Sequence, residues 1–307
     1  MSAPLEALKR VRADYRAMLK APEMEETLDA VFYRPIAYGF VLLAKPTPIT
    51  ADQVTLLSIV FGIAAGVLFG MGTATALLWG AVAVFTFNIL DCADGMLARV
   101  RGKGSPLGYV LDGLAGYIGT AAIVLGLGQA AASRHSNPAL WWTLTVVAGL
   151  SLAWWCAVVD GLRLEWSRRV YGKRQDRAAE LAALVNAATE WRRDGTHRME
   201  QVLVGAYVVY TKLWEGGARP RAPHPSEIAE DALSVTAWAE LNRPILRLAV
   251  AAGPTMQLTV IILAALVNRP EWLILAAILA GNLYGAAVLV VRASVRRRLL
   301  AEQAAGV

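Results

Sequence analysis

The chain has 307 residues, 56% of them hydrophobic, with a formal net charge of +6 and a mean hydropathy of +0.45. That balance excludes an ordinary water-soluble domain and points to a helical protein that crosses a membrane several times. Its basic residues sit at the ends of apolar stretches rather than in one patch, so a membrane surface is expected as partner and nucleic acid is not.

Residues 4–30 carry Lys9, Arg10, Arg12, Arg16 and Lys20 between Leu5, Leu8, Val11, Tyr15 and Leu19. This spacing suits an amphipathic helix, either on the membrane surface or packed on the protein. No secretory signal is expected in so charged a stretch. Phe32 to Leu43 is apolar but too short to span, and Pro46 and Pro48 close it, so it reads as an interfacial helix. Thr50-Ala-Asp-Gln53 is a capping-box pattern before the first apolar run.

Six spans are predicted, at about 54–71, 74–100, 107–129, 140–160, 245–267 and 271–291, with Gly253-Pro254 as a kink in the fifth. Trp141, Trp142, Trp154 and Trp155 lie near the ends of the fourth, where aromatic belts form. The fold class is therefore an all-α polytopic membrane protein with six transmembrane helices and amphipathic N-terminal and interfacial helices. Its segments are 1–48 (N-terminal helices), 49–160 (spans one to four), 161–244 (a cytoplasmic or interfacial helical insertion) and 245–307 (spans five and six and a basic tail). Within the insertion, Glu200–Trp214 is expected as an interfacial or re-entrant helix, 216–225 as a loop and Ser226 as the start of another helix.

Cys92 and Cys156 both fall inside predicted spans, so no disulfide framework is expected, and no Cys/His spacing suggests zinc. His135, His197 and His224 are expected to be solvated. Six spans put both termini on one side. With the N-terminus inside, only Arg134 and Arg269 of all the Lys and Arg fall outside, so termini, insertion and the 101–106 turn are expected to be cytoplasmic.

The informative stretch runs from Asn88 to Gly116. Asp91, Asp94 and Asp112 lie in otherwise apolar sequence, where carboxylates are costly and usually mark an ion or substrate site. Asp91 and Asp94 share a helix face. If the chain turns near Lys103, Asp94 and Asp112 are level, and Asp91 faces Gly116. Three acids at one depth call for cations between them, and hard oxygen ligands suit Mg²⁺ or Mn²⁺.

This stretch closely resembles the signature of the CDP-alcohol phosphotransferases, D-x2-D-G-x2-A-R-x8-G-x3-D-x3-D. Asp91, Asp94, Gly95, Ala98, Arg99, Gly108 and Asp112 match it, and Gly116 stands where the family has its fourth Asp. The segment from Pro48 to Thr55 also resembles the family's stretch bordering the nucleotide, with Ala51-Asp52 in place of Pro-Asn. The resemblance implies an integral membrane enzyme of phospholipid synthesis, often a homodimer. It moves a substituted phosphate from a CDP-linked donor to an acceptor hydroxyl and releases CMP. Asp91, Asp94 and Asp112 would hold two divalent ions, with Gly95, Ala98, Arg99 and Gly108 around the CDP diphosphate. The family's metal ligand and base at the fourth position is absent; Asp160 and Glu165 are expected near the right membrane level, and Asn88 sits one turn before Asp91. Two other readings are a related scaffold with different diphosphate chemistry, such as ionising a prenyl diphosphate, and a catalytically silent homologue.

Overall fold

The computed structural model describes residues 3–19, 21–102, 106–172, 177–196, 233–304 and isolated positions between 198 and 208. Among these, every regular element is helical. In order they are α1 (Ala3–Met18), a π-helical turn (Asp29–Tyr33), α2 (Arg34–Ala44), α3 (Ala51–Gly70), α4 (Ala74–Arg101) and α5 (Pro106–Arg134). Then come α6 (Pro138–Val170), α7 (Arg177–Arg193), α8 (Val235–Ala251), α9 (Pro254–Leu266), α10 (Pro270–Ala276), a second π turn (Ala277–Gly281) and α11 (Asn282–Ala304).

Six stretches of the described residues are long and apolar enough to cross a membrane: Ala51–Gly70, Ala74–Arg101, Leu111–Arg134, Pro138–Val170, Val235–Leu266 and Pro270–Ala301. The six expected spans are all present. Two helices outrun their apolar cores: α6 continues past Asp160 to Val170, and α8 begins ten residues before Ile245. Charged helical turns at a span's end stay regular because lipid is no longer their solvent and Arg and Lys propagate a helix well. The expected helices and loop within 200–232 fall largely outside the described residues.

Local chemistry fixes the ends. Thr50 and Gln53 form the expected capping box, with Gln53 N donating to Thr50 Oγ1 at 3.2 Å and Thr50 N to Gln53 Oε1 at 3.0 Å. Gly102, at φ +60°, closes α4 in the left-handed conformation that glycine adopts without strain. The predicted kink at Gly253-Pro254 is a full break between α8 and α9, because Pro254 cannot donate backward and serves as a first helical residue.

The structure divides into two compact units, Met1–Cys156 with Val250–Asn282, and Ala157–Ala249 with Leu283–Val307. In the first, α3 is the central strut, lying along both α4 and α5, which touch each other little. Small residues make the α3–α5 contact intimate. A β-carbon at Gly62 would stand 2.7 Å from Gly119 Cα, and one at Gly126 would strike the backbone of Gly66. Phe69, Leu77, Val84, Phe87, Ile123 and Ile261 form the main apolar core. A second core joins Met18, Tyr33, Ala37 and Val41 to Leu90, Met96 and Leu97 of α4. Arg134 donates to the Gly72 carbonyl (2.7 Å) and to Asn268 O (3.0 Å) and Oδ1 (2.7 Å), tying the ends of three spans together. His135, expected in solvent, instead stacks on Trp141 with ring centroids 4.4 Å apart, since its loop folds back onto the start of α6. Within the second unit, Trp166 is buried beside Trp238, and Arg169 lies over the Trp238 ring.

Candidate active site

Asp94 is the centre of the site. It lies on α4 and is only 3% exposed. Thr55, on α3, donates Oγ1–H to Asp94 Oδ2 at 2.6 Å, and the same hydroxyl lies 3.1 Å from the Ala51 carbonyl. A hydroxyl carries one proton, and the shorter contact to the carboxylate takes it. Asp94 Oδ1 is sealed from solvent and has no hydrogen-bond partner. A carboxylate so placed carries a large desolvation penalty unless a positive charge meets it.

Two further negative charges act on Asp94, those of Asp91 and Asp112. Asp91, three residues earlier on α4, is half-buried, and Asp112, on α5, is exposed. The two acid-bearing helices are held together through α3 rather than packed on each other. The small-residue seam between α3 and α5 is what holds α5 so closely to α3. Among the described residues, no three His, Cys, Asp or Glu side chains close into a ready-made metal cage. The donor set still fits a hard divalent ion: three carboxylates acting at one place, one oxygen of the deepest being buried and unpartnered.

Arg99, two turns beyond Asp91 on α4, keeps an exposed face. Its Nε donates to the Met18 carbonyl at 2.6 Å. Its two terminal nitrogens lie over Gly95, each 3.5 Å from where a β-carbon would stand there. The guanidinium therefore lies against the helix surface at Gly95, at ordinary contact distance from a β-carbon there. Gly108 sits half-buried in the first turn of α5, and Ala98 is half-buried on α4. Gly116 is half-buried one turn beyond Asp112, and nothing lies within 4 Å of where its β-carbon would be.

Of the possible substitutes for the missing fourth acid, the two carboxylates both lie within ion-pair reach of arginines. Glu165 is bound by Arg292 at 2.6 Å, with Arg169 and Arg296 also within ion-pair reach. Asp160 is exposed and lies 3.5 Å from Arg163. Asn88 is 2% exposed on α4.

Sequence reading gave no role to Glu25, Glu26, Asp29 and Arg34, all buried beside α4. Arg34 pairs with Glu25. Desolvation lowers the Arg34 pKa, but its acidic surroundings, Glu25 and Asp29 among them, outweigh this and raise it. The signal available in the sequence was a run of acids, Glu23 to Glu26, placed directly before an apolar helix that opens with Arg34-Pro35.

The described residues thus give a six-span helical protein with a buried acid, Asp94, on its second span and the charges of Asp91 and Asp112 acting on it. The chain belongs to the CDP-alcohol phosphatidyltransferase family, which matches residues 48–210, more than half of it. Over 126 residues it is 33% identical to the phosphatidylinositol phosphate synthase of Mycobacterium marinum, covering 41% of this chain and 46% of that protein. The same protein of Mycobacterium tuberculosis is 33% identical over 126 residues, 41% of this chain and 49% of its own length. That of Mycolicibacterium smegmatis is 39% identical over 108 residues, 35% and 46%. The aligned segment spans about half the length of these relatives.

Proposed function

We propose that this chain transfers a substituted phosphate from a CDP-linked donor to an acceptor hydroxyl, with release of CMP, in phospholipid-type synthesis. The observation that carries this reading is Asp94, buried with one oxygen unpartnered and flanked by the charges of Asp91 and Asp112. The family match supports it, and the name of the relatives favours a phosphatidyl group as the unit transferred. No observation on this chain favours prenyl diphosphate chemistry.

Asp91, Asp94 and Asp112 are the residues that would hold Mg²⁺ or Mn²⁺, two ions by resemblance. Ions held by these carboxylates would supply positive charge against the diphosphate. Thr55 fixes Asp94 Oδ2, so that Oδ1 is the oxygen left to face a cation. Arg99 offers the phosphate a planar pair of donors from its place beside Gly95. In the reaction a bond forms between the acceptor oxygen and phosphorus, the bond from phosphorus to the CMP oxygen breaks with its electron pair going to CMP, and the hydroxyl proton passes to solvent water. At Gly116 the chain offers no side chain to take that proton.

The test is product analysis on the purified full chain in lipid vesicles. With CDP-diacylglycerol or CDP-choline, an acceptor-rich lipid extract and Mg²⁺, CMP should appear, and EDTA should stop it. Release of inorganic diphosphate from a prenyl diphosphate, without CMP from any CDP-alcohol, would replace this reading by the changed-chemistry one.

We further propose that the acid site opens to the cytoplasm, on the strength of the Lys and Arg distribution. Cysteines introduced at Lys103 and Gly217 should resist an impermeant thiol reagent applied outside intact cells. Ready labelling there would invert the orientation.

A further inference from the structure

We infer that Met18 and residues 21–34 form a latch whose Glu26 and Asp29 position Arg99 for the donor phosphates, through the Met18 carbonyl. This rests on the functional reading above and goes beyond the motif to residues outside it.

Arg99 does not float over the site. Its Nε is held by the Met18 carbonyl at 2.6 Å, at the last turn of α1. Carbonyls there have no intrahelical partner and carry the negative end of the helix dipole, so they suit a guanidinium. With Nε used, the fork of terminal nitrogens over Gly95 is the part left to bind a phosphate. The orientation of that fork therefore depends on where Met18 sits.

Met18 is 1% exposed, and the segment that follows it is pinned to two different spans. Glu26 Oε2 accepts from Thr255 N at 3.0 Å, capping the open N-terminus of α9. Asp29 Oδ1 accepts from Thr255 Oγ1 at 2.7 Å, and Cys92 Sγ of α4 lies 3.7 Å from the same oxygen. Tyr33 and Thr259 share a hydrogen bond of 2.8 Å between their hydroxyls. A side chain at Gly253 would collide with the Glu26 carboxylate, so the glycine that breaks the fifth span also admits the cap. Apolar packing could hold a surface segment as firmly as buried charges, at lower desolvation cost. What charges add is a fixed register, and this register lies one residue from Asp91, at Cys92.

A double-mutant cycle on the detergent-solubilised full chain tests this, with CDP in Mg²⁺ as the probe and calorimetry as the readout. Arg99→Ala should weaken CDP binding about 10-fold or more, the loss typical of a charge-assisted phosphate contact. Glu26→Ala should weaken it about 5-fold when Arg99 is present and less than about 1.5-fold when it is alanine, since coupled residues are non-additive. Glu26→Gln, which keeps an acceptor for Thr255 N, should restore most of the affinity. In a Cys156→Ser background, maleimide should label Cys92 faster after Glu26→Ala, which reports release of the latch without any ligand. Should Glu26→Ala fail to fold, Asp29→Asn takes its place in the same cycle. Equal losses in both Arg99 backgrounds would overturn the inference, and so would unchanged CDP affinity despite faster Cys92 labelling. Either result leaves the functional reading standing. A wild-type chain that does not bind CDP at all overturns that reading, and this one with it.

Discussion

Replacing Asp94 with asparagine should abolish Mg²⁺-dependent nucleotide binding and lower CMP release by about 10²–10³-fold or more, the range for loss of one preorganised electrostatic group. Asparagine is the sharper choice beside alanine, because its carbonyl can still accept from Thr55 and the buried volume is unchanged. The loss then reports charge rather than a cavity. Thermal unfolding gives a second readout. In EDTA the variant should be no less stable than wild type, since asparagine fills the same volume and both burial and two other acids oppose a charge at that position. In Mg²⁺ only wild type should gain, by about 2.7 kcal/mol when the ion exceeds its Kd 100-fold. Undiminished CMP release in Asp94→Asn or Asp94→Ala would remove the acids from the site.

Much of this was legible before any coordinates. The six spans follow from run length and apolarity, because lipid forces every backbone group into a helix and leaves few alternatives. Thr50 and Gln53 declared a helix start through a side-chain pattern that acts within four residues. The three acids stood out because a carboxylate in an apolar run has no ordinary reason to be there.

What escaped was set by contacts across long separations. Thr55 lies 39 residues from Asp94, and its role depends on α3 passing beside α4, which periodicity does not encode. Glu26 and Thr255 are 229 residues apart, and the sequence marks neither as the other's partner. The glycine seam that packs α3 on α5 is likewise a long-range contact that the order of the spans does not announce. That Asp91 faces Gly116 stays an expectation, to be tested by substitution.

Gly116→Asp is that substitution, and its outcome separates two kinds of enzyme. Nothing lies within 4 Å of the missing β-carbon, so an aspartate can be built without moving the backbone. It would stand one turn beyond Asp112, on the same face of α5. A fourth carboxylate near three others is costly without cations, so the variant should unfold at lower temperature than wild type in EDTA, and Mg²⁺ should close the gap. If the chain is a phosphotransferase working without its base, CMP release should rise by about 10²-fold or more, the lower end of what general-base help contributes. If the glycine instead makes room for a bulkier or more apolar substrate, CMP release stays flat and turnover of that substrate falls, because a needless charge now sits in a water-poor pocket. A variant that changes neither activity nor Mg²⁺-dependent stability would show that Gly116 points away from the acids. The register drawn from the turn at Lys103 would then be wrong, and the missing fourth acid would say nothing about the chemistry.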